Sequence, residues 1–226
     1  MINFNCYLIT DRHQTGGRSL TAVIEEALKS GIKAVQLREK DLNANELFEL
    51  AQSMKKLTSQ YGAKLFINDR IDIAIAVEAY GVHLGQKSFS PENVREVLNS
   101  SQLTVHDSRL LIGVSTHSLK EAKKAEQDGA DFITIGPLFY TPSKARYGEP
   151  LGVDIIKRVK AGIKIPVFAI GGIKKNNIKD AMDADADGVA LISAIISANE
   201  PSKAAREIIQ ELETRKEERG KRNTNS

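Results

Sequence analysis

Short apolar, β-branched runs recur along the chain, and each is followed by a stretch whose apolar residues fall three and four apart. The runs predict strands over Cys6–Thr10, Ala34–Arg38, Lys64–Asn68, Gly81–Gly85, Leu110–Ser115, Phe132–Gly136, Pro166–Gly171 and Gly188–Ser193. The intervening segments, such as SLTAVIEEALKSG and SLKEAKKAEQDGA, read as helices with Ser19 and Ser118 at their N-caps. In NANELFELAQSMKKL, Asn43 with Glu46 three residues on forms a capping-box pattern ahead of an apolar stripe. Eight strands and eight helices in strict alternation require a parallel sheet with crossover helices, and eight repeats close into a (β/α)8 TIM barrel. An open doubly wound sheet tolerates the same alternation but more often has fewer strands, and ITDRHQTGGR after the first run does not read GxGxxG. One barrel domain over residues 1–212 is therefore expected, followed by a basic, frayed tail over 213–226.

Composition narrows the partners. The formal charge of +3 is carried entirely by RKEERGKR at 215–222, so the remaining body is neutral. A neutral body without Trp and with 5% aromatic residues argues against a nucleic-acid platform. No run approaches the roughly 18 apolar residues of a membrane span, and the N-terminus lacks a signal-peptide pattern. Cys6, the single cysteine, reads as a small buried hydrophobe. A cytoplasmic protein acting on small molecules is the expectation.

Barrel enzymes gather their reactive groups at the C-terminal strand ends, so those positions carry the candidate chemistry. Gln36 and Arg38 alternate on one face of an otherwise buried strand, with Lys40 just beyond. Asn68-Asp69-Arg70 ends the third strand and Gly85-Gln86-Lys87-Ser88 the fourth, while Ser115 and His117 close the fifth. The loop after the sixth sets out Thr141, Ser143, Lys144 and Arg146 beside Pro and Gly hinges, a set suited to phosphate or pyrophosphate. Gly171-Gly172, with Ser193 at the next strand end, marks the usual barrel phosphate site, which Thr141 and Ser143 could close; a tight turn is the plainer reading of the glycines. Asp69 is a candidate Mg²⁺ ligand or a helix cap, and His117 a general acid–base group or a structural helix opener.

YLITDR, VQLREKDL, FINDRIDIA, GVHLGQ, GVSTHS, GADFITIGPLFYTPSK, IPVFAIGGI and GVALISAI together resemble thiamine-phosphate synthases, in order from about residue 6 to 197. The resemblance implies a transferase that joins a hydroxymethylpyrimidine diphosphate to a thiazole phosphate, dissociatively, with release of pyrophosphate. It implies that Gln36, Arg38, Lys40 and Asn68 hold the pyrimidine diphosphate, with Ser115 and Lys144 reaching its ring and pyrophosphate. Lys40, Ser115 and Lys144 would then be the catalytic set, and Asp69 the Mg²⁺ ligand. Thr141, Pro142, Ser143, Gly172, Ile192 and Ser193 would hold the thiazole phosphate. The chain departs at Ser88, where the synthase pattern has a second Mg²⁺ carboxylate; Glu39 or Lys87 could compensate. The thiazole tautomerases, which would use His117, share the fold, and a non-catalytic phosphate-binding barrel is a further alternative. The resemblance also admits a homo-oligomer.

Overall fold

The structure, a computed structural model, describes residues 2–100, 110–142 and 148–224. Its centre is a closed barrel of eight parallel strands in chain order, with the last pairing the first. These are β1 (Cys6–Ile9), β2 (Ala34–Leu37), β3 (Lys64–Asn68), β4 (Gly81–Leu84), β5 (Leu111–Thr116), β6 (Phe132–Ile135), β7 (Val167–Ile170) and β8 (Gly188–Leu191). Around them run α1 (Leu20–Lys29), α2 (Ala44–Gln60), α3 (Ile71–Ala76), α4 (Pro91–Ser100), α5 (Leu119–Gln127), α6 (Asp154–Lys160) and α7 (Ile178–Asp183). Two more follow, α8 (Ser193–Ile196) and α9 (Pro201–Thr224).

The two faces of each strand enter two separate apolar clusters, as alternation requires. Leu8, Val35, Ile67, Val82, Ile112, Ile133, Val167 and Val189 face outward into the cluster beneath the helices. Tyr7, Ala34, Phe66, Phe132, Phe168 and Ala190 face inward and fill the barrel with Phe4, which plugs its base. Three rings are accommodated by glycines on the neighbouring strand. Phe66 lies across Gly81, Phe132 across Gly113 and Phe168 across Gly188, each pair in register, and a Cβ at any of these glycines would strike the ring. Phe132 also meets Phe4, Tyr7, Phe66 and Phe168 with ring centroids 5.5–6.1 Å apart. Phe132→Ala is expected to cost about 3–5 kcal/mol through the cavity left at this junction, measurable by urea unfolding.

The capping box at α2 is present: Asn43 Oδ1 accepts from the Glu46 amide at 3.0 Å, and Glu46 Oε2 accepts from the Asn43 amide at 3.0 Å. Ser118 caps α5 by accepting from the Glu121 amide. Ser19 does occupy the N-cap of α1, but its hydroxyl turns to Thr21 at 2.7 Å and caps nothing. Among the described residues there are nine α-helices, not eight. The additional one arises because β8 stops at Leu191 and Ile192 leaves strand geometry (φ −122°, ψ −89°), so Ser193 opens α8 instead of ending the strand. Helix α9 packs on α1, α7 and α8 and continues past 212 to Thr224, where Arg215 bridges Glu211 and Glu218 at 2.7 Å each. The connection at 101–109 lies outside the described residues.

Candidate active site

Two residues on from each inward aromatic, glycine or alanine position, at the C-terminal end of the barrel, lies a layer of different chemistry. On β2 to β6 it consists of Gln36, Asn68, His83, Ser115 and Thr134; across β1, β7 and the end of β8 it consists of Ile9, Ile170 and Ile192. The floor of the site is therefore polar on one side and apolar on the other. Gln36, His83 and Thr134 are buried and Ser115 partly so.

A hydrogen-bonded chain crosses the polar side. Gln36 Nε2 donates to the Tyr7 hydroxyl at 3.2 Å, Tyr7 lies 3.5 Å from His83 Nδ1, and His83 Nε2 lies 3.0 Å from Ser115 Oγ. Burial pushes the His83 pKa down to about 3, with the Asp69 charge acting in the opposite sense and Arg38 reinforcing the shift. The ring is neutral at physiological pH, so one nitrogen donates and the other accepts. With Tyr7 already receiving the Gln36 proton, its own hydroxyl proton is directed at Nδ1; Nε2–H then donates to Ser115, whose hydroxyl proton stays available to a ligand. Tyr7 is held protonated, its pKa raised well above the usual value by burial.

Asp69 sits at the rim after β3 with φ 61°, a left-handed conformation that Asp tolerates better than most residues. Its Oδ1 accepts from the Gly85 amide at 3.2 Å and from the Ser88 hydroxyl, and its Oδ2 accepts from Asn68 Nδ2 at 2.9 Å. Ser88 Oγ also accepts from the Gly85 amide at 2.7 Å. The loops after β3 and β4 thus converge on one carboxylate with a neutral hydroxyl beside it. No group of three or more His, Cys, Asp or Glu residues able to hold a metal occurs among the described residues. A single rim carboxylate fits Mg²⁺ shared with substrate phosphate oxygens, not an all-protein cage. Glu39 does not supply the missing carboxylate. Its side chain is 1% exposed and faces the other way, accepting from the Arg12 amide at 3.1 and 3.2 Å and from the Arg12 guanidinium at 3.3 Å.

Beyond β2, Arg38 is half-buried, Glu39 buried and Lys40 exposed. Arg12 also grips Asp41 through both guanidinium nitrogens at 2.5 and 2.6 Å, which holds that carboxyl well below the usual range. His117 is exposed and turned to α5: its amide donates to Glu121 at 2.8 Å and its Nδ1 lies 3.2 Å from the same carboxylate. Gly171 (φ 92°) and Gly172 (φ 67°) do require glycine, for conformation and for space. Pro137, Phe139 and Tyr140 of the loop after β6 occupy the positions their Cβ atoms would take. The Phe139 amide donates to the Gly171 carbonyl at 3.0 Å, so the glycines seat that loop against β7. Thr141 is half-buried and Pro142 exposed on that loop, Ile192 is half-buried and Ser193 exposed at the start of α8, while Ser143, Lys144 and Arg146 lie outside the described residues.

Those of the singled-out strand-end positions that the structure describes thus lie at one end of the barrel. Tyr7, His83 and the Arg12–Glu39–Asp41 contacts were not singled out. His83 had one available signal, since GVHLG puts it on the same face as Gly81. No helix among the described residues is long and apolar enough to cross a membrane.

Fold and site define a (β/α)8-barrel enzyme whose polar groups converge at the C-terminal strand ends. The sequence profile of the family described as thiamine monophosphate synthase matches residues 6–195, and the chain belongs to that family. It is 52% identical over 214 residues to a Geobacter sulfurreducens protein whose name assigns it the same activity provisionally, covering 95% of this chain and 97% of that one. It is 39% identical over 208 residues to the thiamine-phosphate synthase of Clostridium tetani, covering 91% and 95% of the two chains. Among solved structures, the thiamine phosphate pyrophosphorylase of Pyrococcus furiosus superposes with a TM-score of 0.82 at 34% identity, over 93% of this chain and 96% of the other. Family membership places the chain among the transferases of thiamine biosynthesis.

Proposed function

We propose that this chain is a thiamine-phosphate synthase, condensing 4-amino-2-methyl-5-hydroxymethylpyrimidine diphosphate with thiazole phosphate to give thiamine phosphate and pyrophosphate. The observation that carries the reading is the meeting of three features at one end of the barrel. These are the Ser115–His83–Tyr7–Gln36 chain, the Arg38–Lys40 cations and the Asp69 carboxylate. His83 feels the charges of both Arg38 and Asp69, so the three features share one electrostatic neighbourhood.

An aminopyrimidine offers N–H donors and ring-nitrogen acceptors, and the polar floor is complementary to both. Gln36, anchored through its amide nitrogen, keeps its carbonyl oxygen for the exocyclic amine, and the Ser115 hydroxyl proton is directed to a ring nitrogen. Arg38, Lys40, Asn68 and Lys144 receive the diphosphate. Asp69 would hold Mg²⁺ together with diphosphate oxygens; when bound, the ion neutralises charge on the leaving pyrophosphate. The apolar side of the floor, Ile170 and Ile192, suits the thiazole ring, whose phosphate is received by Thr141, Pro142, Ser143, Gly172 and Ser193.

In the dissociative route the bond between the pyrimidine methylene carbon and the diphosphate oxygen breaks first, and its electron pair leaves with pyrophosphate. The thiazole nitrogen lone pair then forms the new C–N bond to the pyrimidine carbocation. No side-chain nucleophile is needed, and Lys40, Arg38 and Lys144 act by stabilising the departing polyanion. The tautomerase alternative draws less support, because His117 is engaged with Glu121 at the start of α5.

Incubation with both substrates over a range of Mg²⁺ concentrations tests the proposal, with thiamine phosphate and pyrophosphate expected in equal amounts. Absence of product at every Mg²⁺ level, together with turnover of the thiazole carboxylate tautomer alone, would sink it in favour of an isomerase.

A further inference from the structure

The loop between β1 and α1 makes contacts on both of its sides that the chemistry proposed above leaves unused. On one side it holds the backbone that follows β2. The Thr10 hydroxyl, fully buried, accepts from the Arg38 amide at 2.9 Å. One residue further, the buried Glu39 carboxylate takes the Arg12 amide and guanidinium. Two residues beyond that, Asp41 receives both arms of Arg12, with His13 Nε2 at 3.0 Å. Residues 38–41 are thus fastened at three points, the Arg38 amide and the Glu39 and Asp41 side chains. Arg12 also neutralises two carboxylates that flank the cations Arg38 and Lys40, so their attraction for a polyanion is not cancelled.

On its other side the same loop holds α8. Arg18 Nη2 donates to the Ile196 and Ala198 carbonyls at 3.2 and 2.8 Å, Nη1 to the Asn199 carbonyl at 3.3 Å, and Nε to the Thr15 carbonyl at 2.8 Å. All three guanidinium nitrogens are engaged with carbonyls, which satisfies acceptors that a helix end leaves orphaned. Ser197 adds a second tie, its hydroxyl donating to Gln14 Oε1 at 3.2 Å.

We propose that the β1–α1 loop is a brace that sets the spacing of the two substrate half-sites. Arg12 fixes the 38–41 segment that receives the diphosphate, and Arg18 fixes α8, at whose start the thiazole phosphate is received. The inference rests on the function proposed above and adds two positioning residues to it. Its physical rationale is that the thiazole nitrogen and the pyrimidine methylene carbon react only when about 3–3.5 Å apart, and a misplacement of about 1 Å costs on the order of 100-fold. Two anions bound to independently mobile loops would not hold that separation.

The test measures KM for each substrate in the full-length protein carrying Arg12→Gln or Arg18→Gln. Arg12→Gln is expected to raise KM for the pyrimidine diphosphate about tenfold and leave that for thiazole phosphate within about twofold, Arg18→Gln to do the reverse, and both to lower kcat per active molecule about tenfold or more. A purely structural role would lower the melting temperature and the active fraction with both KM values and kcat per active molecule unchanged, and that outcome overturns the brace. Because Arg12→Gln strands a buried carboxylate, the double variant Arg12→Gln/Glu39→Gln serves if the single variant does not fold, with the same selective rise expected. Amide hydrogen exchange supplies a readout independent of turnover. Arg12→Gln must accelerate exchange at 38–41 without affecting 195–197, and Arg18→Gln must do the converse. A wild-type protein that makes no thiamine phosphate refutes the function; exchange rates unchanged in both variants refute the brace.

Discussion

Asp69→Asn is expected to lower kcat/KM for thiamine phosphate formation by about 100-fold or more while leaving the melting temperature nearly unchanged. Asn is the informative replacement because it tolerates the left-handed backbone at φ 61° and its carbonyl oxygen can still accept from Gly85 and Ser88. What it removes is the negative charge, together with the Oδ2 acceptor of the half-buried Asn68 amide. At this rim the partner hydroxyl is neutral and Glu39 is turned to Arg12, so nothing described nearby replaces that charge. The loss should be accompanied by weaker Mg²⁺ binding, measured by calorimetry in the presence of pyrophosphate. Wild-type activity in Asp69→Asn would remove Asp69 from the proposed chemistry altogether.

The second large effect concerns pH. His83 has a pKa of about 3 in the folded protein against 6.5 as a free side chain, so between those values the unfolded chain binds a proton that the folded chain does not. Stability therefore falls as pH drops below the unfolded value, and the loss is complete only when the folded pKa is reached. From pH 6.5 to 4.5 the His83 contribution to that loss is about 2 kcal/mol. Urea unfolding of wild type and His83→Gln across this range checks it, with a distinctly shallower slope expected for the variant. Parallel slopes would mean that His83 is not held neutral by the barrel interior. The same variant breaks the link between Tyr7 and Ser115, so synthase turnover should fall as well, through poorer alignment of the pyrimidine ring.

Much of the architecture was legible because its signals are local. QLREK shows alternate polar side chains in a buried strand, and Gln36 does face inward while Leu37 joins the outer core. Asn43 and Glu46 announce a capping box that needs no distant partner. Ser19 was misleading for the opposite reason. A cap-competent hydroxyl found a neighbouring hydroxyl in Thr21, and nothing in the sequence ranks those two partners. The end of β8 was displaced by two residues because an apolar β-branched run continues through Ile192, while the backbone there had already turned into α8.

The candidate site divides in the same way. Residue type and strand-end position were enough to single out Gln36, Arg38, Asn68, Asp69, Ser115 and Ser193. They could not reveal that Ser88 bonds to Asp69, nor that Glu39 is taken by Arg12, since these contacts join residues 19 and 27 positions apart. Gly171-Gly172 were legible as glycines at a strand end. That their missing Cβ atoms make room for the loop after β6 was not.

By itself, then, the sequence determined the alternation of strand and helix, the closure into eight units, and which strand ends carry polar groups. These follow from periodicities of two and 3.6 residues and from short-range hydrogen bonding, both written along the chain. Only the tertiary structure decided which of those groups meet. Tyr7, His83, Gln36 and Ser115 come from four different strands, and Arg12 and Arg18 reach from one loop to the segments that flank it, after β2 and after β8. A closed barrel converts such distances along the chain into contacts around a ring, and that closure has no counterpart in any local segment.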